Sequence, residues 1–146
     1  MKRSLLVALI VLSAALSFGV TACGGGGDSV KPDVTIDIKA ENMRFVPDRI
    51  EVPAGKTVMI RMQNTDENQH DFEVGGLTAE IMDRTGMKDE GMDMDMSGGM
   101  GTINMHSAAK GKASVTFRAD KPGTYDIYCT ITGHKESGMV GKMVVN

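Results

Sequence analysis

The sequence predicts an all-β domain built as a Greek-key sandwich, and three observations carry that reading. Apolar and polar residues alternate with a period of two in several short runs, as in Val34, Ile36 and Ile38 against Thr35, Asp37 and Lys39. Turn-forming clusters such as Pro53-Ala54-Gly55 and Asp120-Lys121-Pro122-Gly123 separate those runs. The 146 residues amount to one domain, too few for two cores of ordinary size.

The N-terminus reads as a targeting segment. Met1-Lys2-Arg3 is basic, Leu5 to Val20 is nearly unbroken apolar chain, and small residues precede Cys23 in Val20-Thr21-Ala22-Cys23. That pattern resembles a bacterial lipobox, which implies a signal peptide over 1–22 and a lipid on Cys23. The residues alone leave open an ordinary signal peptide or an uncleaved anchor, although the apolar run is at the short end for a spanning helix. Gly24 to Val30 then forms a flexible tether over 23–32, and the folded domain occupies 33–146. With Cys23 lipidated, Cys129 is a lone thiol in an exported protein, and metal ligation is a good reason for one. The expected location is therefore extracytoplasmic, lipid-anchored to the cell membrane, in a periplasm or at the cell surface.

Within the domain, a strand beginning at Val34 precedes a turn over Met43 to Pro47, and Ile50-Glu51-Val52 leads to the next turn. Val58, Ile60 and Met62 face one side of a following strand, Arg61 and Gln63 the other. His70 to Val74 comes after the polar stretch Asn64 to Gln69. Further on, Ala113, Val115 and Phe117 alternate with Ser114 and Thr116, and two last strands flank the segment from Cys129 to Gly141. Residues 75–112 read as a Met-rich acidic insertion, in which Leu77 to Asp83 is compatible with a short helix.

The chemistry concentrates after Gly123. Cys129, His134 and Met139 stand five residues apart on one short loop. A thiolate, an imidazole and a thioether form a soft donor set that suits copper, and an electron-transfer copper takes two His and one Cys in a plane with a weak axial Met. The missing His is His70 or His106. The spacing Cys-x4-His-x4-Met after Pro122-Gly-x-Tyr-x-x-Tyr-Cys129 resembles the cupredoxins, the small blue-copper proteins, with the loop spacing of auracyanin and rusticyanin. A second stretch from Phe45 to Val74 resembles the first half of such a domain, so the resemblance covers 33–74 and 110–146. It implies one type 1 copper held by His70, Cys129, His134 and Met139. In that family Asn or Ser usually follows the first His and bonds to the Cys loop; here Asp71 stands there, and Gln69 replaces a Gly found in some members. Asp71 is thus expected to alter the potential or the acid stability of the site.

The insertion is the unusual part. Met92, Met94, Met96, Met100, Met105 and His106 either form a second, labile Cu(I) site, or belong to a flexible docking patch, or to an unstructured excursion. Its acidic residues, Asp83, Asp89, Glu90, Asp93 and Asp95, suit a basic partner such as a c-type cytochrome, and a membrane oxidoreductase is the other expected redox partner. Sixteen Lys and Arg against 19 Asp and Glu, with no Trp, leave no nucleic-acid footprint. Three His in the whole chain are too few for a catalytic copper centre beside an electron-transfer one, so no enzyme is expected. Two functions compete: a membrane-tethered electron carrier, and an extracytoplasmic copper-delivery or sequestration protein that uses the Met-rich insertion.

Overall fold

The computed structural model describes residues 30–86 and 99–146. In chain order its strands are β1 (Val34–Glu41), β2 (Arg44–Val46), β3 (Arg49–Val52), β4 (Thr57–Asn64), β5 (His70–Thr85), β6 (Gly99–Ser107), β7 (Lys112–Arg118), β8 (Gly123–Tyr128) and β9 (Val140–Val145). The signal peptide with Cys23, most of the tether, and Met92, Met94 and Met96 lie outside the described residues.

Hydrogen bonds run through the strands in the order β2-β1-β4-β7-β5-β8-β9-β3, with β6 paired to β5. β7 lies between β4 and β5, the interleaving that a Greek key requires. β2 and β3 are consecutive in the chain yet occupy opposite ends of that path. The corner at Pro47 and Asp48, entered through a cis Val46–Pro47 bond, therefore wraps the sheet round on itself. The Lys142 N–H donates to the Asp48 carbonyl at 2.7 Å and fastens the corner to β9.

Period-two patterning decides what lies inside. Val58, Ile60 and Met62 of β4 are buried, as are Phe72 and Val74 of β5 and Val115 and Phe117 of β7. Phe72 meets Phe45 edge to face with ring centroids 5.5 Å apart, worth about 0.5–1.5 kcal/mol beyond the area buried. Met43 to Pro47 is more than the turn expected, because Arg44–Val46 pairs with β1 as β2.

The short helix expected over Leu77 to Asp83 is not there; those residues belong to the long strand β5. Leu77 and Ile81 stand four apart, a spacing shared by one helix face and one strand face. The decisive residue is Ala79, buried between them while Thr78 is exposed. Gly76, at a φ of 75°, lies within the register shift between Glu73 and Thr78, which lets β5 pair with β6 along both halves. The described parts of the insertion are thus two arms of a strand pair rather than an irregular excursion: β5 as far as Thr85, and β6 from Gly99.

Candidate metal centre

His70 opens β5, and strand alternation turns its ring inward with Phe72 and Val74, so it is fully buried. β5 pairs with β8 through Glu73 with Tyr128 and Val74 with Ile127. That register carries the start of β5 past the end of β8, where Cys129 follows. The Asp71 N–H donates to Cys129 Sγ at 3.3 Å.

The loop after Cys129 is stitched by its own backbone. His134 N–H donates to the Ile131 carbonyl (3.0 Å), Met139 N–H to the His134 carbonyl (3.0 Å), and Cys129 N–H to the Met139 carbonyl (3.1 Å). Gly133 and Gly138, at φ of 83° and 97°, supply the left-handed turns on either side of His134 that let so short a loop close. Ser137 locks the first turn, its hydroxyl donating to the Gly133 carbonyl at 2.6 Å.

Three predicted donors converge as a result. His70 Nδ1 lies 3.2 Å from His134 Nδ1, and His134 Nδ1 lies 3.4 Å from Cys129 Sγ. All three ligand atoms fall within 4.8 Å of one another, and no other such group of His, Cys, Asp or Glu occurs among the described residues. The set fits copper on its own chemistry: two imidazole nitrogens and one sulfur face a common point. Their separations suit metal–donor distances of about 2.0–2.3 Å, as in other N/S metal sites. Met139 is fully buried and joined to both Cys129 and His134 through the backbone bonds above.

Electrostatics follow from burial. Desolvation pushes the Cys129 thiol above its ordinary value, with the Asp71 and Ile131 amides working the other way. Burial also lowers the His134 pKa, and the nearby His70 ring adds to that, so His134 is neutral at pH 7. A protonated thiol and a neutral ring describe a metal-free site that gives up its sulfur proton on binding.

Around the donors lie carboxylates. Asp71 accepts from Thr130 Oγ1 in the Cys loop and bonds His106 Nδ1 at 2.5 Å. Asp66 Oδ2 lies 2.9 Å from His70 Nε2, and its carboxylate also accepts from the Asn42 and Met43 amides. Burial opposes the Asp66 charge, but the Met43 and Asn42 amides and His70 outweigh it and hold the carboxyl below its usual range. No motif in the sequence marks Asp66. The available signal was a carboxylate four residues before the candidate ligand, in a loop rich in Asn.

Among the described residues, the other proposed copper donors separate. Met105 is buried opposite Phe72, Met100 is 71% exposed on the same strand, and the odd spacing sends their side chains to opposite faces. His106 turns to Asp71.

The chain matches the family model of copper-binding proteins of the plastocyanin/azurin family over residues 32–146. It belongs to that family. Its cofactor is copper, and as a cupredoxin it has the all-β fold expected from the sequence, the match running through the insertion as well as its flanks. This cupredoxin is 32% identical to Auracyanin-A of Chloroflexus aurantiacus, with all of both chains covered. It is 31% identical to the copper-resistant cuproprotein CopI of Rubrivivax gelatinosus, over 86% of this chain and 74% of that one. Among solved structures, auracyanin A, described as a "blue" copper protein, superposes with a TM-score of 0.54 at 27% identity over 77% of this chain and 98% of that one. The reduced auracyanin of Roseiflexus castenholzii gives a TM-score of 0.58 at 23% identity over 80% and 99%, a likeness of fold.

Proposed function

We propose that this cupredoxin is a blue-copper electron carrier in which His70, Cys129 and His134 would hold one copper, with Met139 as a weaker fourth donor. The observation that carries the reading is the convergence of the His70, His134 and Cys129 donor atoms from two distant segments. Copper bound there supplies a one-electron centre cycling between Cu(I) and Cu(II). Cys129 binds as thiolate, and the Asp71 amide donates to its sulfur and disperses part of the negative charge. The backbone bonds that stitch Cys129, His134 and Met139 together hold the donors nearly still, so little rearrangement accompanies gain or loss of an electron. His134, less buried than His70, forms the exit path toward a partner.

The chain is read as exported, with 1–22 a signal peptide, Cys23 lipidated, 23–32 a tether and 33–146 the copper domain. Its partners would then be redox proteins outside the cytoplasmic membrane, such as a c-type cytochrome or a membrane oxidoreductase, steered by the acidic insertion. The protein itself performs no substrate chemistry. Adding Cu(II) to the metal-free protein and recording the visible spectrum tests the reading: an intense thiolate-to-copper band is expected, and its absence removes the assignment.

A second reading, copper delivery or sequestration through the Met-rich insertion, is favoured by the likeness to CopI, a copper-resistant cuproprotein. A stoichiometry above one copper per chain, with the excess Cu(I) lost readily to a chelator, would select it.

A further inference from the structure

We propose that Asp66 is a positioning residue for His70, holding its ring in the Nε2–H form with Nδ1 turned to the copper, and that its charge lowers the reduction potential of the site. The inference takes copper at the His70, Cys129 and His134 cluster as given, and deepens that reading.

The geometry is specific. His70 is fully buried, and its Nε2 lies 2.9 Å from Asp66 Oδ2. An ionised carboxylate only accepts hydrogen bonds, so the ring nitrogen facing it carries the proton. The other nitrogen, Nδ1, is then the one with a lone pair, and it is the one that faces His134 and the metal position. A carboxylate behind a metal-binding imidazole sets both its tautomer and its basicity.

Asp66 is itself held from several directions. Its carboxylate accepts from the Asn42 N–H at 2.8 Å and the Met43 N–H at 3.1 Å, both residues in the left-handed region at φ of 52° and 59°. Its own N–H donates to Asn64 Oδ1 at 2.9 Å, and its carbonyl accepts from the Lys110 N–H at 3.1 Å. Buried Asn64 completes the brace, donating through Nδ2 to the carbonyls of Asn68 and Ala108 at 2.7 Å each. The β1–β2 turn thus holds the carboxylate, while Asn64 and the loop before β7 hold the backbone of the same residue. A side chain so constrained cannot swing away when the charge at the metal changes. The oxidised site carries one more positive charge than the reduced one, so a negative group beside His70 favours oxidation.

Two measurements test this. The first is the long-range proton–nitrogen correlation spectrum of the metal-free chain, which reads the His70 tautomer without copper. The intact chain should show His70 protonated on Nε2, and Asp66→Ala should give a mixture of tautomers. A His70 protonated on Nδ1 in the intact chain, or an undisturbed Nε2–H form in Asp66→Ala, overturns the positioning role. The second is voltammetry of copper-loaded Asp66→Asn, which keeps an oxygen acceptor and loses the charge. The equilibrium should move at least about threefold toward Cu(I), ~30 mV for a one-electron couple, with the blue band retained. A potential equal to the parent's overturns the charge effect. A parent chain that takes up no blue copper defeats the ligand assignment instead, and the metal-free spectra still judge Asp66.

Discussion

His106 Nδ1 sits 2.5 Å from Asp71 Oδ1, and through that contact the β5–β6 pair grips the residue next to His70. The other oxygen of Asp71 accepts from Thr130, one residue past Cys129. One carboxylate therefore ties β6 to the Cys loop. Asp71→Ala or His106→Ala should each cost about 1–3 kcal/mol in chemical denaturation, because a largely buried polar partner is left behind. The double variant should cost less than the sum by at least about 0.5 kcal/mol. Simple additivity would show that the contact is energetically idle. The blue band should survive Asp71→Ala, since the donor to Cys129 is the backbone N–H of Asp71 and not its carboxylate.

Met139→Leu should raise the reduction potential. Leu nearly matches Met in volume, so the fully buried position tolerates it, while the sulfur proposed as the fourth donor is lost. Voltammetry of the copper-loaded variant is the check, and an unmoved potential would take Met139 off the ligand set. Cys129→Ser should abolish the blue band, for no thiolate remains.

Copper uptake near pH 7 should release at least one proton. Burial keeps Cys129 protonated there, and His134 is already neutral, so the sulfur is the source. Apparent affinity should then fall about tenfold per pH unit of acidification below the thiol's pKa. Calorimetry in two buffers of different ionisation enthalpy measures the proton count, and a count of zero would contradict it. The same raised pKa stabilises the metal-free fold below the ordinary thiol value of about 8.5. That stability should be lost as pH rises through the higher folded value.

Phe72→Ala should destabilise the protein by about 3–5 kcal/mol. The ring is fully buried, packs on Phe45 and stands two residues from His70 on the same face of β5. Denaturant midpoints of the metal-free chain would report it, and a loss under about 1 kcal/mol would mean that the core refills the space.

How far the sequence was legible depended on distance along the chain. The loop donors Cys129, His134 and Met139 could be read directly because eleven residues hold all three. The strands around them could be read because buried and exposed residues alternate with a period of two. Leu77 to Asp83 could not, since a four-residue apolar spacing fits a helix face and a strand face equally well until the pairing of β5 with β7 is seen. β6 is hidden in the sequence for a related reason: Met and Gly fill a segment with few β-branched residues, and the strand forms because β5 lies beside it. The contacts that Asp66 and His106 make were beyond any pattern, since they depend on other strands and turns.

The sequence by itself determined the kind of chemistry, a thiolate, imidazole and thioether on one loop, and the alternating strands that flank it. Only the tertiary structure decided which histidine joins them. His70 and His134 are 64 residues apart, and they come within 3.2 Å because β5 runs beside β8 in one register. A shift of one residue would turn His70 to the opposite face. That register is a sum of contacts across the whole sheet, and no local stretch of chain encodes it.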